Sequence, residues 1–187
     1  MDSREMFRNA QKIFVNGKIN ESIDAFTKSI EAGQRTEIAF LSRGVAYLET
    51  DLVERALEDF SIVIDMNSQN FRAYFYRGTA YMRIEDFHSA LSDYDKTIEL
   101  KPDYGTAFFA RGTAYAQIGN GFEASRNIKT AITLSESSMQ GFSDQYGMFR
   151  TQFEKAIAFM TGEGMSPTMF LTDNEISTVK NWLKEDK

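Results

Sequence analysis

The apolar and small residues between Phe71 and Tyr104, in FRAYFYRGTAYMRIEDFHSALSDYDKTIELKPDY, follow helical spacing in two successive blocks. Tyr74, Gly78 and Tyr81 share one face of the first block, Ala90, Tyr94 and Ile98 one face of the second, and Pro102 closes the segment. The pattern predicts two helices joined by a turn at Glu85 and Asp86. It recurs with a period of about 34 residues, the mark of a stacked repeat. One period back, Tyr74, Gly78, Tyr81 and Tyr94 become Phe40, Gly44, Tyr47 and Phe60; two periods back they become Met6, Ala10, Ile13 and Phe26. One period forward stand Phe108, Gly112, Tyr115, Ala124 and Ile128. Ile30, Ile64, Ile98 and Ile132 hold a further register, and Arg43, Arg77 and Arg111 another. Four gapless repeats are therefore expected, at residues 3–36, 37–70, 71–104 and 105–138, with turns at Gly17, Thr50–Asp51, Glu85–Asp86 and Gly119–Gly121. The first is the weakest copy, as befits a terminal repeat with one side in water.

The two helices of each repeat must approach closely, and Gly44 with Ala56, Gly78 with Ala90 and Gly112 with Ala124 are spaced to permit it. A glycine inside a helix costs about 1 kcal/mol against alanine, so its recurrence at one register implies a packing role. The arginine before each glycine lies beside the core stripe. Asp59 and Asp93 stand one helix later, so Arg43 and Arg77 are expected to form structural ion pairs, within a repeat or between repeats.

The order aromatic, small, aromatic, alanine, aromatic, proline resembles the tetratricopeptide-repeat family. The resemblance implies an all-α, right-handed superhelical solenoid of four helix-turn-helix repeats spanning residues 1–138, whose first helices line a concave groove for an extended peptide or a helix of a partner. The face about 100° around each first helix from the core stripe, which would line that groove, carries Phe7, Gln11 and Phe14, then Leu41, Val45 and Leu48, then Phe75, Thr79 and Met82 joined by Arg72 and Tyr76, and finally Phe109 and Thr113 with Ala116. Part of that row could equally be helix-to-helix packing. Co-chaperones of this family grip the carboxylate end of heat-shock chaperones with a lysine and an asparagine from one repeat, an asparagine from the next, and a lysine and an arginine from the third. The matching places hold Phe7, Gln11, Ser42, Arg72 and Tyr76, or one repeat later Leu41, Val45, Tyr76, Thr106 and Ala110. Only Arg72 keeps the charge, so that clamp is not expected.

Charge changes the picture only locally. The net charge of −6 over 187 residues is uneven: +1 for residues 1–36, −5 for 37–70, −1 for 71–104, +1 for 105–138 and −2 for 139–187. Without a basic excess, nucleic acid is not expected as a partner. Cysteine is absent, which removes disulfides and thiol chemistry. The start, MDSREMFRNA, has no succession of a leader, and no run reaches membrane-spanning length, so a soluble, cytoplasmic chain is expected. No metal or cofactor site is suggested: His88 is the only histidine, Asp93 and Asp95 point to different helix faces, and the glycines at 162 and 164 come after a helix pattern instead of opening one. An enzyme is not expected.

Beyond residue 138 the repeat fails, since Tyr146 stands where a small residue should be. Residues 139–187 are expected to form a two-helix C-terminal extension. Met139, Phe142, Tyr146, Phe149, Phe153, Ala156, Ile157 and Met160 form one helical stripe suited to capping the last repeat. Thr172 and Glu175 read as a capping box opening a second, shorter helix with Trp182 and Leu183 inward, expected to pack near Met148 or Phe159. The expectation as a whole is a non-enzymatic scaffold or adaptor that binds a protein or peptide, the alternative being a structural subunit that self-assembles, as a homo-oligomer, through groove and tail.

Overall fold

The computed structural model describes residues 2–142, with side chains through Leu134. All regular structure among them is helical: α1 (Ser3–Val15), α2 (Ile19–Glu31), α3 (Glu37–Glu49), α4 (Val53–Met66), α5 (Phe71–Arg83), α6 (Phe87–Leu100), α7 (Gly105–Gln117) and α8 (Gly121–Phe142). The expectations for Tyr146 through Trp182, and for a return helix onto Met148 or Phe159, fall outside the described residues.

Local sequence explains where the helices begin. Asp2, Thr36, Asn70 and Asp86 each accept a bond from a first-turn amide of the next helix, satisfying one of its orphan donors. The turns inside the pairs are set by one left-handed residue per repeat: Gly17, Asp51, Glu85 and Gly119, with φ of 77°, 60°, 60° and 79°. Glycine takes this conformation freely, whereas Asp51 and Glu85 carry a side chain into it, at about 1 to 2 kcal/mol each.

Two compact units are present, residues 1–101 and the chain from Pro102 onward. In the first, α1 packs on α2, α3 on α4 and α5 on α6, while α2 meets α3 and α4 meets α5. The first helices of successive pairs, α1 with α3 and α3 with α5, also touch. The apolar core takes the same path. Ile30, Phe40 and Val63 cluster with Ala39 and Ala73, and half-buried Phe7, Leu41, Ile62 and Ile64 close around them. Five successive helices thus share one core, as stacked repeats require.

In the second unit α7 packs on α8 in the same manner, with Ala107, Ala114, Ala124 and Ala131 fully buried. The helix α8 runs without a break to Phe142, past residue 138 where the sequence pattern sets the boundary of the last repeat. Glu136 occupies the register held by Pro102 one repeat earlier, so nothing there removes an amide donor or stops the helix.

The inner glycines have a more specific neighbour than the alanines with which the sequence paired them. A Cβ on Gly44 would lie 2.6 Å from the ring of Phe60, on Gly78 2.8 Å from that of Tyr94, and on Gly112 3.0 Å from Ile128. Each glycine seats the large side chain of the second helix, and the carbonyls of Ala90 and Ala124 come next, at 3.3 and 3.1 Å.

Candidate functional site

The arginines preceding these glycines belong to the scaffold. Arg43 donates from Nε and Nη2 to the two Asp59 oxygens at 2.8 and 2.7 Å, and from Nη1 to Thr27 Oγ1 at 3.1 Å. Arg77 repeats this with Asp93 at 2.8 and 2.9 Å and Ser61 at 3.2 Å. The ion pair lies within the repeat and the hydroxyl contact reaches the second helix of the repeat before, which settles what the sequence left open. Burial pushes the Asp59 carboxyl up while Arg43 pulls it down. The bond to Asp59 raises Arg43 in turn, and the two-pronged geometry holds the guanidinium charged. In the fourth repeat Asn127 replaces the acid and accepts from Arg111 Nε at 2.7 Å.

These contacts leave only a narrow strip of α3 and α5 open, whereas α1 is exposed on a further face as well, at Glu5, Asn9 and Lys12. On α3, Ala39 and Ala46 are buried on one flank, Phe40 and Tyr47 inward and Leu48 on the other flank. On α5, Ala73, Phe75, Tyr76 and Ala80 are buried. The open positions step by helical turns, as Ile38, Ser42, Val45 and Glu49 on α3, Arg72, Thr79 and Arg83 on α5, and Arg4, Arg8, Gln11 and Val15 on α1. They lie roughly 170° around the helix from the inward stripe.

The residues expected from the sequence divide between core and strip. Leu48, Phe75 and Tyr76 are 4%, 1% and 7% exposed, so their apolar surface already serves folding. Phe75 packs on Tyr94 with ring centres 5.9 Å apart, and Tyr76 stacks on Phe60 at 5.8 Å. Phe7 and Phe14 are half-buried against Phe26, at 5.8 and 6.4 Å. Leu41, Val45, Thr79, Met82, Phe109 and Thr113 are half-buried as well, whereas Gln11 and Arg72 are exposed. The hydroxyl of Thr79 donates to the Phe75 carbonyl at 2.9 Å and accepts from the Tyr94 hydroxyl at 3.5 Å, so it points along its own helix. Thr113 does the same with Phe109 at 3.1 Å. Of the places matched to the co-chaperone clamp, Phe7 and Tyr76 are engaged in packing and Arg72 alone presents a cation, beside the Phe71 ring at 5.0 Å. His88 is exposed on α6. Among the described residues no three His, Cys, Asp or Glu side chains converge as a metal site, and no helix is long and apolar enough to cross a membrane.

Residues 71–104, the best copy of the pattern and the helix pair α5–α6, match the family model for the tetratricopeptide repeat. Residues 71–104 are a tetratricopeptide repeat. Among solved structures it is similar to MamA, with 23% identity, 74% of this chain and 81% of that chain covered, and a TM-score of 0.70. It is similar too to YrrB, a tetratricopeptide protein with an unusual peptide-binding site, with 22% identity, 73% and 71% covered, and a TM-score of 0.67. At such identity the likeness establishes the shared fold. No curated protein matches the sequence significantly.

Within this array of helix pairs, sequence reasoning missed Arg4, Arg8, Val15, Ile38 and Arg83, all exposed on the strip. A hydropathy stripe cannot select arginines. The signal that finds them is the division of charge between first and second helices. The helix α5 holds Arg72, Arg77 and Arg83 and no acid, while α4 holds Glu54, Glu58, Asp59 and Asp65 against Arg55. Over the three pairs of the first unit the first helices total +4 and the second helices −7.

Proposed function

We propose that this chain is a non-enzymatic protein-binding module that takes a segment of a partner along the open strip of its first helices, and that it works in the cytoplasm. The observation that carries this reading is the strip itself. Three touching helices present half-buried Val45, Thr79 and Met82 beside exposed Ile38 and Gln11, with a core underneath that fixes their positions. Ile38 is 59% and Val15 82% exposed, apolar surface that a partner would cover. The fold agrees, since MamA and YrrB are built the same way and YrrB has a peptide-binding site. Partner burial of a few such side chains, at roughly 1.5 to 3 kcal/mol each less the costs of association, corresponds to micromolar binding.

A photo-crosslinking side chain introduced at Val45, with the same group at Glu58 on α4 as control, tests the reading in extracts of the native cell. Crosslinks should form from Val45 and disappear when Ile38→Asp is added. Equal crosslinking from Glu58, or indifference to Ile38→Asp, would show that the first-helix strip is not the binding surface.

A further inference from the structure

The charges of the strip specify its partner more narrowly than its apolar surface does. Arg4, Ile38 and Arg72 occupy one register on three successive touching helices, and all three are exposed. Among the described residues neither Arg4, Arg8 nor Arg72 forms an ion pair, although the chain as a whole is acidic and its second helices are rich in carboxylates. At the far end of the strip the cation is already answered, since Arg83 pairs with Asp51 at 3.3 Å and Glu49 stands beside it. On the strip itself the unpaired positive charge is therefore concentrated at the end where α1 and α5 begin, with an apolar residue between. The acids at that end, Asp2, Glu5 and Glu37, lie off the strip, Asp2 as the cap of α1 and Glu37 accepting from Asn67 and Asn70.

We infer that this end of the strip binds an acidic protein segment in which two carboxylate side chains flank an apolar one at intervals of three residues. The inference rests on the strip being the binding surface and adds the chemistry of the ligand. The interval comes from helix spacing. Packed helices stand about 8 to 10 Å apart, so equivalent side chains on α1, α3 and α5 recur at that distance. A polyproline II segment rises about 3.1 Å per residue with three residues per turn, which brings every third side chain to the same face about 9.3 Å on. An acid, an apolar residue and an acid at i, i+3 and i+6 then meet Arg4, Ile38 and Arg72 in either chain direction. Arg8, one turn further on α1, adds to the attraction for the acid at that end. A β-strand matches less well, because its third residue points away. A long polyanion such as a nucleic acid is disfavoured by the acidic second helices, which a short segment confined to the strip does not approach.

The test uses the full chain and a fluorescein-labelled peptide, Glu-Pro-Pro-Leu-Pro-Pro-Glu, read by fluorescence anisotropy beside its Gln and Lys counterparts, a shortened Glu-Pro-Leu-Pro-Glu and an oligothymidine strand. The acidic heptapeptide should bind at least about tenfold more tightly than the others and weaken as salt shortens the screening length. Arg4→Glu with Arg72→Glu should transfer the preference to the Lys peptide. Both side chains are exposed and outside the core, so the variant should keep the parent's melting temperature. Equal binding of the Gln peptide, tighter binding of oligothymidine, or no binding of any peptide would overturn the inference. Crosslinking from Val45 that persists in those cases leaves the strip as the binding surface, and only its loss removes both.

Discussion

Gly78 shows how a single atom constrains the chain. Its place in the middle of α5 is unfavourable for helix propensity, and it is occupied so that the Tyr94 ring can lie against the backbone. Gly78→Ala puts a carbon 2.8 Å from that ring, which is 1% exposed and has nowhere to retreat. The variant should lose about 1 to 3 kcal/mol despite alanine's better propensity, measurable as a lower denaturation midpoint. Glu49 presents a different constraint. Burial raises its carboxyl above the ordinary range, with Arg83 pulling the other way. A raised carboxyl favours the proton-bound folded form, so its contribution is present below the unfolded value and lost as pH rises through the folded one. Glu49→Gln should therefore melt at the parent's temperature in acid and above it at neutral pH, and parallel profiles across the carboxylate range would refute this.

Among the elements, the turn and the clip carry the repeat. The turn demands a left-handed residue, and Glu85 fills that place at φ 60° without, among the described residues, the ion pair that Asp51 makes in the preceding repeat. Glu85→Gly should stabilise the chain by up to about 1 kcal/mol, the relief of backbone strain being partly offset by the greater freedom of glycine when unfolded. A lower melting temperature would mean that the Glu85 side chain contributes more than its backbone costs. The clip joins three helices through Arg77, Asp93 and Ser61. Arg77→Met alone leaves the Asp93 carboxylate buried without its cation and should cost about 3 kcal/mol or more, whereas adding Asp93→Leu should recover much of the loss. Additive losses in the double-mutant cycle would rule out direct coupling of the two charges.

At the scale of the molecule, residues 1–101 have their own core, running from α1 through α5, with α6 packed on α5. A chain ending at Lys101 is expected to stay helical and melt cooperatively, with lower solubility because its last pair lacks a polar terminal cap. A broad, non-cooperative melt would show that the unit depends on the residues from Pro102 onward. Most of this organisation was legible in the sequence. The period placed every inner glycine, every turn and both ion pairs, because each depends on contacts between helices adjacent in sequence at constant spacing. The open strip was legible only in part. Phe75 and Tyr76 were expected at an open surface from their position on a helical wheel, yet each is packed on its neighbours, Phe75 on Tyr94 and Tyr76 on Phe60.

The sequence alone thus determined the helices of the four repeats, their pairing and the residues that form the two ion pairs, since a repeating pattern of size and polarity can be satisfied only by one repeating local structure. Tertiary structure decided which side of each first helix remains open. A helix flanked by its own partner, by the second helix of the repeat before and by its counterparts in the stack is covered around most of its circumference. How much of it is left, and whether an aromatic or an arginine stands there, depends on the approach of neighbours that no single helix records. That approach left Arg4, Ile38 and Arg72 outside and drew Leu48, Phe75 and Tyr76 within.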